Sequence, residues 1–330
     1  MKKLLITSLL LSCINLFSQS DKILERSKKQ YQAIVAKPLC VVLDIESEKF
    51  INKLSKKNKE QELKNYKKLI ADYNSFIKSA VTEYIKEFPS VKFITTDEYK
   101  KLDKKELKAN AFLVRTFPAQ SGSMVNSGFS TKPSFGGMGG GSTFGISSVD
   151  GTPENIELDT TNVKDASIIQ LLSWQEDELL PVYSQNLNKL FCTKAEVYLT
   201  VRQLKTAVNG AINKTTTKET ATKLQTALKT KTLIINKTSL SDNLTEAAIK
   251  KVYSNSFKIV EQAEYDNLFF TKKEDIVLLV IIPAANSMGM FGINHCLFDP
   301  SNDASYVPNP QKCKEKIKKE HFEWYTKPVE

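Results

Sequence analysis

The chain has few of the residues that most often carry enzyme chemistry. Only two histidines, His295 and His321, occur among its 330 residues, so the commonest general base is nearly missing. The chain also contains no Gly-x-Ser-x-Gly, no His-Glu-x-x-His and no EF-hand pattern, which argues against serine hydrolases, zinc peptidases and calcium-binding loops. We therefore predict a protein that is not an enzyme, with no catalytic residues, no metal ligands and no cofactor.

Arginine is scarce as well, since lysine supplies nearly all of the 47 basic residues. The net charge is +10, but the lysines are scattered among acidic residues along helical stretches. A nucleic-acid interface needs a basic stripe with arginine or aromatic side chains that read the bases. We therefore predict an ordinary solvated surface and no nucleic-acid partner.

Apolar runs long enough to cross a membrane, roughly 20 residues, are missing too. Residues 1–20 instead have the pattern of a cleaved signal peptide: Lys2 and Lys3, a short apolar stretch, and a polar end at Ser18–Ser20. The mature chain is thus predicted to have no transmembrane segment and to reside in the periplasm, at the outer membrane periphery or outside the cell. A lipoprotein signal at Cys13 is the weaker alternative, because the apolar stretch continues beyond that cysteine.

Cysteine is infrequent, and four cysteines remain after the leader: Cys40, Cys192, Cys296 and Cys313. Four cysteines allow three pairings, and an exported protein can form disulfides. We predict a Cys296–Cys313 bridge, because both residues lie in a polar region with proline and asparagine that reads as a loop. Cys40 lies in an apolar run and is predicted to be an inert core thiol.

A repeated pattern is the main positive feature of the sequence. The same order of strand, Glu-Tyr-x-x-Leu and strand occurs twice. The first copy comprises Val91–Ile94, Glu98, Tyr99, Leu102 and Ala111–Val114, and the second comprises Phe257–Val260, Glu264, Tyr265, Leu268 and Ile276–Val280. An apolar run and helical sequence precede each copy, at Leu39–Leu43 and at Thr232–Ile235. The pattern predicts an α/β fold with two tandem β-α-β-α-β units and mainly parallel sheets.

The predicted domain organisation follows from the repeat. A first unit covers residues 21–174, a helical connector covers 175–231, and a second unit with a C-terminal loop and tail covers 232–330. Within the connector, helices are predicted at 176–190, 198–212 and 216–228.

A Gly/Ser/Met-rich insertion interrupts the first unit at residues 120–153. It lacks the spacing of a P-loop or a dinucleotide fingerprint, so a nucleotide site is not expected. Its scattered apolar side chains suit contact with a partner. The predicted interaction residues are Met124, Phe129, Phe135, Met138 and Phe144, with Met288, Met290 and Phe291 in the second unit.

Two alternatives to a binding protein remain open. The first is a periplasmic hydrolase with carboxylate or Cys-His chemistry, in which His295, Cys296 and acidic side chains such as Asp299 would converge. The second is a carrier of a small apolar ligand between the two units.

The leader resembles signal peptides of Bacteroidota in its Lys-Lys start and Phe-Ser-Gln end. At the level of fold alone, the repeated unit resembles the small α/β units of envelope-assembly proteins, namely the curli-export lipoprotein family and the N-terminal domain of the Tol-system propeller protein. The resemblance carries no matching functional residue and does not by itself establish a function. From the sequence we predict an exported, non-enzymatic scaffold or binding protein that interacts through the Gly/Met/Phe-rich loop and the loop between Cys296 and Cys313. Its partner would be a protein or another envelope component, and the oligomeric state stays open.

Overall fold

The structure is a computed structural model that describes residues 28–116, 167–175, 177–187, 192–213, 215, 217–285, 291–308 and 316–327. The predicted signal peptide, the insertion at 120–153 and Cys313 lie outside these residues. Within the described part, no helix combines the length and the apolar character needed to cross a membrane.

Strands and helices alternate along the described chain. The strands are β1 (Leu39–Leu43), β2 (Val91–Thr95), β3 (Ala111–Thr116), β4 (Ser167–Gln175), β5 (Glu178–Leu187), β6 (Thr232–Asn236), β7 (Phe257–Val260), β8 (Ile276–Ala285), β9 (Phe291–Asp299) and β10 (Ala304–Tyr306). The helices are α1 (Lys28–Val35), α2 (Glu48–Lys56), α3 (Glu60–Tyr84), α4 (Thr96–Lys100), α5 (Lys104–Ala109), α6 (Lys194–Asn213), α7 (Thr217–Ala227), α8 (Glu246–Lys250), α9 (Gln262–Phe270) and α10 (His321–Thr326).

The strands form two sheets of five strands, which confirms the predicted α/β class. The first sheet has the order β2-β1-β3-β4-β5, and the second has the order β7-β6-β8-β9-β10. When the strands of each sheet are numbered in chain order, both sheets have the same spatial order, 2-1-3-4-5. In the first sheet β1 is parallel to β2 and β3, whereas β4 is antiparallel to β3 and β5. The sheets are thus mixed rather than mainly parallel, because the predicted three-strand unit is extended by antiparallel strands.

By its internal contacts the chain divides into two compact units. The first-sheet unit contains the described residues of the ranges 34–202 and 283–291. The second-sheet unit contains those of the ranges 28–33, 203–282 and 292–327. Each unit is described separately below.

The core of the first-sheet unit follows from the alternation of side chains along buried strands. Every residue of β1 is buried, and Cys40 and Val42 pack on one side with Tyr99 and Phe112. Cys40 is a buried free thiol, as predicted. Helix α3 is amphipathic; its buried residues recur every three or four positions, as a helix that covers a sheet requires.

The core of the second-sheet unit includes a segment from the end of the described chain. We call residues 316–327 the C-terminal strap. Ile317, Phe322 and Tyr325 of the strap are fully buried and belong to the same apolar cluster as Leu233 and Val277 of the central strands. The strap is therefore an integral part of this core.

One predicted helix is wrong. Residues 176–190 were expected to be helical, but Glu178–Leu187 form strand β5. Pro181 explains the difference, because proline breaks a helix interior but is tolerated on an edge strand or at a bulge. β5 is an edge strand, and its register with β4 shifts beside this proline. The other two connector helices are confirmed as α6 and α7.

Candidate functional site at the carboxyl ends of the central strands

The carboxyl end of the first sheet is where an open α/β fold places a ligand site. The chain passes from β1 to β2 on one side and continues to β3 on the other side of β1. Binding crevices form outside the carboxyl ends of parallel strands at such a switch point. Asp44 directly follows β1, and Arg115 is the penultimate residue of β3. The two central strands therefore bring opposite charges to this edge.

Arg115 and Asp44 form a buried ion pair there. The Arg115 Nη1 atom lies 3.1 Å from Asp44 Oδ2, and its Nε atom donates to Ser167 Oγ at 3.0 Å. The guanidinium also stacks on the ring of Tyr73 at 4.3 Å. The Arg115 side chain is fully buried, and that of Asp44 is 13% exposed. The amide of Asn74 holds the backbone of Asp44 through two hydrogen bonds.

Burial shifts the ionisation of the groups in this cluster. Burial raises the pKa of the Asp44 carboxyl, and the Arg115 guanidinium works against that rise. Burial also raises the pKa of Tyr73 well above its ordinary value, and the Asp44 charge adds to that effect. Burial raises the pKa of Cys192 to about 11, against the influence of Arg115. The cluster thus holds the Arg115–Asp44 pair beside a phenol and a thiol that are both neutral at neutral pH.

The cluster fastens the base of the insertion. β3 ends at Thr116 and β4 begins at Ser167, and Thr116 lies opposite Ile168 in the antiparallel register. The Arg115–Ser167 hydrogen bond joins the same two strand ends. The connection of residues 117–166 therefore leaves and re-enters the sheet at adjacent points, which the strand register and the Arg115–Ser167 hydrogen bond join.

The predicted interaction residues fall in equivalent connections of the two sheets. Met124, Phe129, Phe135, Met138 and Phe144 lie between β3 and β4, outside the described residues. Met288 and Met290 lie between β8 and β9, also outside them, and Phe291 is the first residue of β9. In each sheet these residues thus belong to the connection between the third and the fourth strand, except Phe291, which directly follows that connection.

The Cys-His pair of the hydrolase alternative is not assembled. His295 and Cys296 are consecutive residues of β9, so their side chains point to opposite faces. His295 Nδ1 lies 2.8 Å from the Tyr325 hydroxyl, whereas Cys296 Sγ accepts a hydrogen bond from Gln203 Nε2 at 3.5 Å. Asp299 is held by Lys231, whose Nζ lies 2.6 Å from its Oδ2.

Cys296 differs from the prediction in place and in state. It lies in β9 rather than in a loop, it is fully buried, and it is a free thiol. The predicted bridge to Cys313 is therefore not present at Cys296, and Cys313 itself lies outside the described residues. Burial raises the pKa of Cys296 to about 12, partly offset by hydrogen bonds from Tyr306 and Gln203. Burial and a high pKa both make a thiol unreactive.

We expect Cys296 to resist alkylation in the native protein and to react fully after denaturation without a reductant. At about pH 8, a thiol of this pKa is ionised in only about one molecule in ten thousand. Peptide mass mapping after iodoacetamide treatment, with and without denaturant, measures this. Rapid labelling of the native protein would contradict the burial, and protection that survives denaturation until a reductant is added would restore the disulfide.

Sequence reasoning missed most of the buried polar cluster. Arg115, Tyr73 and Ser167 were not identified, although one signal was available. Arg115 follows the apolar run Ala111–Val114 and lies, with Thr116, in the same buried strand β3. A charge in a buried strand requires a partner.

The described residues contain no group of three His, Cys, Asp or Glu side chains arranged to hold a metal ion. Comparison of the chain with protein-family models, with curated proteins and with solved structures gave no match.

Proposed function

We propose that this is an exported, non-enzymatic binding or scaffold protein of the cell envelope, which contacts a protein or another envelope component through residues 117–166 and 286–290. The observation that carries the proposal is the position of these two segments. Each connects the third strand of a sheet to the fourth, and each contains methionine beside glycine. Loops on a rigid sheet are the usual place for recognition.

The composition of the longer segment supports contact with an apolar surface. Methionine adapts to irregular surfaces because its side chain is unbranched and polarisable. Glycine allows the backbone to adjust around the partner. The Arg115–Asp44 pair adds a rigid base at which this segment enters and leaves the sheet.

The chemistry of the described residues favours binding over catalysis. The most suspect nucleophile, Cys296, is buried with a raised pKa. Asp44 and Asp299 are each paired with a cation. These groups stabilise the fold in the positions they occupy, and none of them is presented to a substrate.

We further propose that the two sheets derive from duplication of one unit. Their strand orders correspond, and Val91, Glu98 and Tyr99 precede Phe257, Glu264 and Tyr265 by one constant offset. The two tyrosines occupy comparable buried positions. Tyr99 packs on Phe112 of β3, and the Tyr265 hydroxyl donates to the Leu279 carbonyl of β8 at 3.0 Å.

Site-specific photo-crosslinking in the native envelope tests the function. A benzophenone amino acid is placed at Phe129 or Phe135, and a third variant carries it at Phe93, which is exposed on the edge strand β2 and serves as the matched control. We expect discrete adducts from the two insertion positions and none from Phe93. Replacement of Met124, Met138 and Phe144 by serine should reduce those adducts at least tenfold, because apolar contacts of this size contribute on the order of 1 kcal/mol each.

Equal adducts from Phe93, or no adducts from the insertion, would overturn the binding proposal. The same preparation also tests export. An intact mass corresponding to cleavage near Ser18–Ser20 supports it, and a diacyl mass on Cys13 would instead identify a lipoprotein.

A further inference from the structure

Both histidines of the chain meet inside the second-sheet unit. His295 of β9 and His321 of α10 lie with ring centroids 4.6 Å apart, at an interplanar angle of 70°. Their exposed fractions are 0% and 1%. His321 belongs to the C-terminal strap, so the contact joins the strap to the sheet.

The strap is held to the unit by backbone hydrogen bonds as well as by apolar burial. The Ile317 N–H donates to the Ser239 carbonyl at 2.8 Å, and the Ser241 N–H donates to the Ile317 carbonyl at 3.0 Å. Ile317, Phe322 and Tyr325 fill the core beside them. The strap therefore either docks as a whole or leaves a large part of the core uncovered.

One hydrogen bond of the strap requires an uncharged imidazole. The backbone N–H of Lys318 donates to His321 Nδ1 at 3.0 Å. An acceptor nitrogen carries no hydrogen, so the neutral ring of His321 has its hydrogen on Nε2. An imidazolium has hydrogens on both nitrogens and cannot accept this bond. Protonation of His321 would therefore bring two N–H groups face to face at a buried site.

The groups around His321 act in both directions. The Trp324 ring, whose centroid lies 4.5 Å from that of His321, favours a charged imidazole. The nearest imidazole is that of His295, which would repel a charged His321 whenever it is itself protonated. The Tyr325 hydroxyl lies 2.8 Å from His295 Nδ1. The charged side chains Lys319, Glu320 and Glu323 on the strap are exposed.

We propose that the C-terminal strap is a pH-sensitive latch, docked while His321 is neutral and released when His321 is protonated. The sign follows from proton linkage. The released strap binds a proton that the docked strap excludes, so the docked state loses stability as the pH falls through the range in which exposed imidazoles titrate. If release of the strap takes up one proton, the equilibrium constant for release rises about tenfold for each unit by which the pH falls, once the pH is low enough. If release takes up two protons, the rise is about a hundredfold.

Amide hydrogen exchange of the full mature chain tests the latch. Protection factors of the strap amides are compared at about pH 7.5 and at about pH 5, on either side of the range in which an exposed imidazole titrates. The amides of β1 in the first sheet provide an internal reference. We expect the strap protection to fall at least tenfold relative to that reference. Unchanged relative protection would overturn the proposal.

Two substitutions separate the roles of the histidines. His321→Asn removes the titration but keeps an oxygen near the position of Nδ1 as an acceptor for Lys318, so the dependence of strap protection on pH should disappear. His295→Asn should retain a dependence of one proton, because His321 still titrates. Equal pH dependence in His321→Asn and the parent would refute the assignment to His321.

Histidine NMR keeps the test decisive if a variant does not fold. The chain contains two histidines, so ¹³C-labelled histidine should give two ring signals in the parent protein. We expect the His321 signal to stay that of a neutral ring until strap protection is lost. A His321 signal that titrates while the strap amides remain protected would overturn the proposal.

Discussion

Deletion of residues 316–330 should unfold the second-sheet unit. The deletion removes Ile317, Phe322 and Tyr325. These three side chains are 0% exposed and belong to the apolar cluster of this unit. Loss of one large buried side chain costs about 2–5 kcal/mol. Three such losses equal the whole stability of a typical domain, about 5–15 kcal/mol. Amide exchange of β6 and β8 in the full remaining chain measures the result, and we expect their protection to be lost.

A matched pair of single substitutions controls for the deletion itself. Phe322→Ala should destabilise the second-sheet unit by about 3–5 kcal/mol, because this ring packs on Tyr253 and Tyr325 inside the core. Glu323→Ala, at the next position of the same helix, should change stability by less than about 0.5 kcal/mol, since Glu323 is exposed. Similar effects of the two substitutions would show that the strap does not contribute to the core as described.

Arg115→Met should destabilise the first-sheet unit by about 3–5 kcal/mol, the usual cost of leaving one partner of a buried ion pair uncompensated. Arg115 touches Asp44, Ser167 and Tyr73, and its side chain is fully buried. Methionine keeps the apolar stem but removes the charge. Amide exchange of β1 and β3 in the full chain gives the free energy of opening.

The stability deficit of Arg115→Met, that is, its loss of unfolding free energy relative to the parent, should depend on pH in a defined direction. Without the guanidinium, nothing opposes the burial that already raises the pKa of Asp44 in the folded state. A carboxyl whose folded pKa is raised is more readily protonated in the folded state than in the unfolded state. The deficit is therefore complete above the folded pKa of Asp44 and shrinks as the pH falls through it.

The double variant Asp44→Asn/Arg115→Met is the control for this prediction. It removes both charges, and replacement of a whole buried pair is often nearly neutral. We expect it to be at least about 1 kcal/mol more stable than Arg115→Met at neutral pH, and to lose the pH-dependent deficit. A double variant as unstable as Arg115→Met at every pH would show that packing of the guanidinium on Tyr73, rather than charge, dominates.

The positions of most core strands followed from local sequence. The runs at Leu39–Leu43, Val91–Ile94 and Ala111–Val114 became β1, β2 and β3, and their counterparts in the second copy became β6, β7 and β8. Short apolar runs bounded by polar residues carry this information without reference to the rest of the chain. The helices α6 and α7 were predictable for the same reason, from apolar residues at helical spacing.

Strands outside the repeat were not predicted, because their signals were ambiguous or ignored. β5 has a helix-like scatter of apolar residues, and Pro181 should have argued against a helix. β9 contains His295, Cys296 and Asp299, which were examined as chemical groups and not as parts of a strand. Recognition of β9 would have placed His295 and Cys296 on opposite faces and removed the Cys-His pair from consideration.

The sequence by itself determined the α/β class and the order of the central strands and helices along the chain, because both depend on patterns within about 20 residues. Only the tertiary structure decided which distant groups meet. Arg115 finds Asp44 from 71 positions away, and Tyr325 finds His295 from 30 positions away. Such pairings depend on strand order, register and face, and these are set by burial of the whole core rather than by any local segment.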